Sequence, residues 1–399
     1  MTDAAVTSAS PNIMRFLKSN IRDYALLLSL LAIMVFFQIT TKGILFTPLN
    51  MTNIILQNSY IVIMALGMLL VIVAGHIDLS VGFLSGFVGA IAGVMMVTWK
   101  FDTVTSVAVC LAFGTMIGAL QGYFVAFFRI PAFIVTLAGM LIFRGLMIAM
   151  LSGRNLGPFP DMFQALSNGY VPDFLSFMAP PGINLFALAV GAVVTALILW
   201  SNWRSRQLEQ SHGMAEEPIE LFYARNLLIA AAFLGFCWIM ARHRGLPNVL
   251  ITMFALVALF MFITTRTTFG RRVYAMGGNE KATKLSGIRT ERITVMIFAI
   301  MGALAALAGL VYAARLNSAQ PKAGQGLELD VIAACFIGGA AVTGGVGKVT
   351  GVVIGAFIMG VMNNGMGIMG VGIDWQQVIK GAVLMLAVFL DVYYKNKSA

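Results

Sequence analysis

Residues 54–75 read Ile54-Ile55-Leu56-Gln57-Asn58-Ser59-Tyr60-Ile61-Val62-Ile63-Met64-Ala65-Leu66-Gly67-Met68-Leu69-Leu70-Val71-Ile72-Val73-Ala74-Gly75. No charge interrupts the run. As a helix rising about 1.5 Å per residue, it covers the roughly 30 Å hydrocarbon core of a bilayer. Its apolar residues are continuous, whereas a membrane β-barrel strand alternates polar and apolar over about ten residues. Working outward, comparable stretches lie at 24–40, 80–98, 104–128, 131–151, 183–201, 226–241, 247–265, 293–315, 328–344, 350–368 and 375–391. The brief, Gly-rich 328–344 stretch fits either a half-helix or a re-entrant piece.

The whole composition agrees. Apolar residues make up 59% of the 399 and charged residues 11%, with a mean hydropathy of +0.90. Soluble domains are about 45–50% apolar and about 25% charged, so a water-soluble globule is excluded. Disorder is excluded too, because disordered chains are poor in apolar residues. The chain is predicted to be an all-α polytopic membrane protein of about 12 transmembrane helices.

Lys and Arg number 26 against 16 Asp and Glu, a net charge of +10. In a soluble protein this would point to nucleic acid; here it follows the positive-inside rule. Arg15, Lys18 and Arg22 precede the first span; Arg129, the 202–225 loop, the 266–292 loop and the tail carry most of the rest. Alternation from an N-in start puts all of these on the cytoplasmic side, so both termini are expected there. The expected organisation is a cytoplasmic arm over 1–23, one membrane domain over 24–391 and a cytoplasmic tail over 392–399. An extra helix pair occupies about 183–241, with polar Glu216, Glu217 and Glu220 in its 202–225 loop, and no signal peptide is expected to be removed. The Pro-rich 152–182 segment, which includes Pro181, is the largest outer loop.

Gly114, Gly118 and Gly122, and again Gly351 and Gly355, recur every four residues. Such spacing lets helix backbones approach closely in lipid, and it reads first as tight packing. The rhythm of 75–93 is loosely echoed in 344–360, as in transporters with duplicated halves. Cys110, Cys237 and Cys335 lie in apolar runs and read as packing, as do the 26 methionines.

Enzyme chemistry has no foothold. Gly344-Gly345-Val346-Gly347-Lys348-Val349 is the nearest approach to a P-loop, but Val342 and Val349 stand where Gly and Ser/Thr are required. His76, His212 and His243 form no ligand set, and no metal site is expected. The most informative hydrophilic stretch is the 266–292 loop. In it Gly277-Gly278 can turn the chain, Asn279 can cap a short helix through Glu280, Ala282, Lys284 and Leu285, and Gly287 can end it. Such a helix is either a surface element bathed by lipid headgroups or a knob for a cytoplasmic partner.

At this loop the chain resembles the permease subunits of bacterial ATP-binding-cassette sugar importers of the ribose, xylose, arabinose and galactose branch. The resemblance extends through His76-Ile77-Asp78-Leu79-Ser80-Val81-Gly82, Ile130-Pro131-Ala132-Phe133-Ile134-Val135-Thr136-Leu137-Ala138-Gly139-Met140, Phe143-Arg144-Gly145, Ala314-Arg315-Leu316, Ser318-Ala319-Gln320-Pro321, Leu329-Asp330-Val331 and Asn363-Asn364-Gly365. It covers roughly 24–151 and 247–391; the middle resembles the xylose and multiple-monosaccharide permeases, and His76 stands where the family usually has Gly. The resemblance implies a bacterial inner-membrane permease, paired with a second copy, a cytoplasmic ATPase and a periplasmic sugar-binding protein. No cofactor is implied for this chain, because ATP and Mg belong to the ATPase. Xylose is favoured, with arabinose, galactose or glucose behind it. An ion-coupled secondary transporter and a membrane receptor or scaffold are the competing classes.

By that resemblance Gly270, Arg271, Arg272, Gly278, Asn279, Glu280, Ala282, Ser286 and Gly287 form the element that couples to the ATPase. Candidates for the pathway or its gate are Asp78, Ser80, Gln121, Arg144, Asn363 and Asn364. Each has a structural reading beside it. Asp78 fits a helix N-cap, the three amides fit bridges between helices, and intramembrane Arg144 fits an ion pair with Glu328 or Asp330.

Overall fold

The computed structural model describes residues 21–178, 180, 182–212 and 218–398, with side chains between 25 and 389. The arm carrying Arg15 and Lys18, together with Pro181, Glu216 and Glu217, lies outside the described residues, as do the side chains of Arg22, Lys395 and Lys397.

Among the described residues fifteen α-helices follow in chain order: α1 Ile21–Thr40, α2 Pro48–Val73, α3 Val81–Gly93, α4 Thr103–Phe127, α5 Ala132–Leu151, α6 Asp161–Asn168, α7 Leu185–Ser211, α8 Ile219–Ala241, α9 Asn248–Arg266, α10 Thr268–Gly278, α11 Glu280–Leu285, α12 Thr290–Leu316, α13 Leu327–Ile337, α14 Val349–Ile368 and α15 Ile373–Ser398. A π-helical turn, Val94–Thr98, prolongs α3. Among the described residues nine helices are long and apolar enough to cross a membrane. Each of the twelve apolar stretches in the sequence overlaps one helix, and the uncertain one, 328–344, is helical only as far as Ile337, as α13, an 11-residue half-helix.

Three expectations need correction. The 202–225 loop is largely helical, because α7 runs on to Ser211 and α8 begins at Ile219; Arg, Gln, Leu and Glu in 204–209 are good helix formers. The 392–399 tail continues α15 as far as Ser398. The 266–292 loop is two helices, and Gly277-Gly278 closes the first of them in place of a turn.

The chain divides into two compact units. Among the described residues the smaller comprises 21–28, 47–51 and the described part of 171–246. Its centre is the α7–α8 pair, in which the Asn202 amide donates to Asn226 Oδ1 at 2.8 Å and Gly191 lets the chain pass close to Cys237. Asp173 holds the start of α7, accepting from the backbone N–H of Leu185 and Phe186.

The larger unit comprises 29–46, 52–170 and 247–399. Helix α2 runs through its middle. Of the most apolar stretch of α2, 94% is buried, and of α12 67%, against 28% in each of α4 and α5 and 22% in α9. A helix that is apolar all round belongs inside, and the outer helices expose Leu, Phe and Ile broadly, as lipid-facing helices do. The predicted small-residue packing is present. Gly114, Gly118 and Gly122 of α4 lie against α12, where a Cβ on Gly118 would stand 3.0 Å from Gly302 Cα. Gly351 and Gly355 of α14 lie against the α13 backbone at Gly338 and Ala334.

Candidate functional site

Two places combine polar chemistry with unusual backbone. The first is the junction of the non-helical stretches 74–80 and 317–326. Gly75 and Gly326 take positive φ, +83° and +81°, where side chains are strained. Helix α2 therefore stops and the chain re-enters helix only at Val81, and the stretch after α12 re-enters only at Leu327. The two restarts touch through backbone: a Cβ on Gly324 would stand 2.6 Å from the Gly82 carbonyl carbon, and one on Gly82 would meet Glu328. Glu328 and Asp330, expected near the end of a span, thus begin a half-helix packed inside the core, both buried.

Asp78 accepts from Ser80 N at 2.8 Å and from Ser80 Oγ at 2.7 Å. These bonds close a turn just ahead of α3, whose N-cap is Ser80 without a side-chain cap bond, so Asp78 does not cap the helix as its structural reading expected. Gln121 Nε2 of α4 donates to Ser80 Oγ at 3.0 Å, so Asp78, Ser80 and Gln121 form one buried chain of hydrogen bonds. Asn363 and Asn364 do bridge helices. Asn363 donates to Asp330 Oδ2 at 3.1 Å and Asn364 to Gln57 Oε1 at 3.4 Å.

Arg144 does not pair with Glu328 or Asp330. Its guanidinium lies over the Phe83 ring, 5.5 Å from the centroid, on an exposed part of α5. Asp330 is taken by Lys380 of α15, at 3.0 Å. The reason is geometric: the half-helix turns its first-turn carboxylate toward α15 and not toward α5. Sequence reading missed Lys380 altogether, although a lysine inside the last apolar stretch was the available signal. Glu328 Oε2, Asp330 Oδ1, Asn363 Oδ1 and both amide atoms of Asn58 are buried without a hydrogen-bond partner.

The second place is α10–α11. Thr267 caps α10, accepting from Gly270 N at 3.1 Å. The inner face of α10 is buried through Gly270, Val273 and Met276. Tyr274 Oη donates to the Gly347 carbonyl at 2.6 Å, and Gly277 sits against the end of α2, where Gly345 N donates to Val73 O at 2.8 Å. Asn279 then ends α10 and caps α11, its Oδ1 accepting from Ala282 N at 2.9 Å. Gly287, at φ +82°, leads the chain back into α12, and Lys284 pairs with Glu291.

Of the residues expected here, Gly270 is buried as a packing contact. Arg271, Arg272, Gly278, Asn279, Glu280, Ala282, Ser286 and Gly287 are exposed together. Leu285 was not among them, yet it is 90% exposed; a lone large apolar residue on a six-residue polar helix was its signal. His76 stands at this end beside Phe298. Burial lowers its pKa below the ordinary value, and the Glu280 carboxylate opposes that shift. Among the described residues no group of His, Cys, Asp and Glu could hold a metal.

Residues 50–388 match the family described as branched-chain amino acid transport system / permease component. The chain is 39% identical over 380 residues to the xylose transport system permease protein XylH of Escherichia coli (strain K12), covering 95% of this chain and 94% of that protein. It is 38% identical over 378 residues to the protein of the same name in Haemophilus influenzae, covering 95% and 98%. It is 34% identical over 365 residues to the ribose import permease protein RbsC of E. coli (strain K12), covering 91% and 92%. No solved structure matches it significantly.

Proposed function

We propose, on the premise that this chain belongs to the family of transport-system permease components, that it is the membrane subunit of an ATP-binding-cassette importer for a monosaccharide. Xylose is the first candidate, because the xylose permeases match at higher identity than the ribose permease. The chain works in the bacterial inner membrane beside a second copy of itself, with a cytoplasmic ATPase and a periplasmic sugar-binding protein. The basic end, where α10 and α11 lie, faces the cytoplasm.

The observation that carries this reading is the construction of α10–α11. The outer surface offers Arg271, Arg272, Glu280 and Leu285, while the inner surface is keyed by backbone contacts into the ends of α2 and α14. A push on the exposed face therefore reaches core helices without passing through a flexible linker. The junction at Asp78, Gly82, Gly324 and Glu328 lies between helices that such a push would move. The energy comes from nucleotide on the partner, since the P-loop pattern fails at Val342 and Val349.

The test is purification from native membranes in mild detergent. A co-purifying ATPase whose hydrolysis rises with xylose-loaded binding protein is the expected result. A chain that purifies alone, with uptake following an ion gradient in ATP-free vesicles, would instead make Glu328 and Asp330 coupling carboxylates.

A further inference from the structure

The restart of α13 is open on one side. Asn363 bonds to Asp330 in the first turn of α13, and it lies five residues inside the outer end of α14, about 8 Å along the helix. The non-helical backbone that ends at Gly326 therefore lies at membrane depth, yet Gln325 and Leu329 are exposed there. Helix α15 is exposed beside them at Ile373, Gln377 and Gly381. A cavity of about 250 Å³ separates α13 from α15. Its wall is mostly apolar, with Leu329, Met359, Ile373 and Leu384, and Gln325 and Gln377 stand in it as well.

Neither lipid nor water covers such a face well. Irregular backbone at membrane depth is tolerated only where protein buries it or a water-filled cavity borders it. Carboxamides set in hydrocarbon need hydrogen-bond partners, whereas Leu, Ile and Met gain by leaving water. Protein meets both demands, and three features say which protein. Asp330 and Lys380 pair at 3.0 Å, so the lining carries no net charge to repel an identical face. Gln325 and Gln377 carry carboxamides that both donate and accept. Each can therefore bond to its own counterpart across a two-fold axis, where one patch meets itself. At Gly381 an added Cβ would meet nothing within 4 Å among the described residues. A helical glycine sacrifices stability, and in lipid its use is to let another helix backbone approach.

We propose that the α13–α15 face is the surface on which the second copy of this chain packs, with Gln377 and Gly381 near the two-fold axis. The inference rests on the paired-permease reading above and adds to it which face pairs. The second copy covers the restart of α13 and places the Asp330–Lys380 pair inside the assembly.

The test is disulfide capture in native membranes, before detergent. Cys110, Cys237 and Cys335 are buried, so the unsubstituted chain should give no linked species. Gln377→Cys, Gly381→Cys and Leu384→Cys set thiols along the face. Leu120→Cys of α4 and Ile251→Cys of α9 set them on other exposed surfaces. A disulfide needs Cα atoms within about 7 Å, so oxidation with copper phenanthroline should link at least one α15 variant into a reducible dimer about fivefold above either control. Equal linkage at the controls, the mark of random collision in the membrane, would overturn the face, and so would linkage at a control alone. Copies per complex are counted in parallel, by light scattering of the unsubstituted protein purified with its ATPase. Two copies without linkage at any α15 position refute the face alone, whereas one copy per complex refutes the paired reading beneath it.

Discussion

Gly277→Ala is the sharpest test of how α10 is keyed into the membrane core. A methyl at this position would stand 2.7 Å from Gly345 N and 2.8 Å from the Val73 carbonyl carbon, and closer still to the Val73 oxygen. Ordinary contacts are about 3.5 Å, so α10 must retreat by well over 1 Å to clear the Val73 oxygen. Both obstacles are backbone, and neither can rotate away. The retreat stretches the 2.8 Å bond from Gly345 N to Val73 O and the 2.6 Å bond from Tyr274 Oη to Gly347 O. Overpacking costs about 1–3 kcal/mol and each of the two weakened hydrogen bonds about 0.5–1.5 kcal/mol, for a total of about 2–6 kcal/mol. Gly278→Ala is the matched control. Its Cβ would meet nothing within 4 Å, and replacing a helical glycine gains about 0.5–1 kcal/mol. Thermal unfolding of the detergent-purified assembly, together with sugar-stimulated ATP hydrolysis, reads both variants. Gly277→Ala should unfold at lower temperature and lose stimulation, while Gly278→Ala keeps both. Equal behaviour of the two would refute the claim that α10 is keyed through backbone contact.

Asn279→Ala should cost α11 its cap, about 0.5–2 kcal/mol, and reduce ATPase co-purification, whereas Asn279→Asp should retain most of it. Leu285→Glu should leave thermal stability unchanged, since the side chain packs on nothing, yet reduce recovery of the ATPase on pull-down; full recovery would remove Leu285 from the contact surface. Lys380→Met should lower the yield of monodisperse protein on size exclusion, because removing one partner of a buried pair costs about 3–5 kcal/mol. Asp330→Asn together with Lys380→Met should restore that yield, and a charge swap between Arg144 and Asp330 should not.

The helical architecture was legible because lipid imposes a long, continuous apolar run on each crossing segment, and such runs survive any detail of packing. The cap at Asn279 and the stop at Gly287 were legible for a similar reason: both act on backbone within a few residues of themselves. What could not be read were pairings across long separations. Arg144, Lys380, Glu328 and Asp330 are four charges in apolar surroundings, and sequence alone matches them by proximity of span ends. The half-helix alters their depth and direction, so Lys380 captures Asp330 and Arg144 turns to Phe83. Leu285 was overlooked because exposure of one apolar residue leaves no periodic trace. The length of α7 and α8 was underestimated because polar helix formers carry a helix beyond its apolar part.

The half-helix also bears on how the chain is made. At about 1.5 Å per residue, the 11 residues of α13 extend about 16 Å, half of a hydrocarbon core of about 30 Å. With Glu328 and Asp330 in its first turn, this segment has no stable resting place of its own in lipid as it leaves the ribosome. Its berth consists of Gly82, at the restart of a helix synthesised some hundreds of residues earlier, and of α14 and α15, which do not yet exist. Biogenesis must therefore hold the nascent chain with one crossing incomplete until the last helix delivers Lys380. A ribosome that stops short of α15 leaves behind a charged, half-inserted segment, a natural handle for membrane quality control.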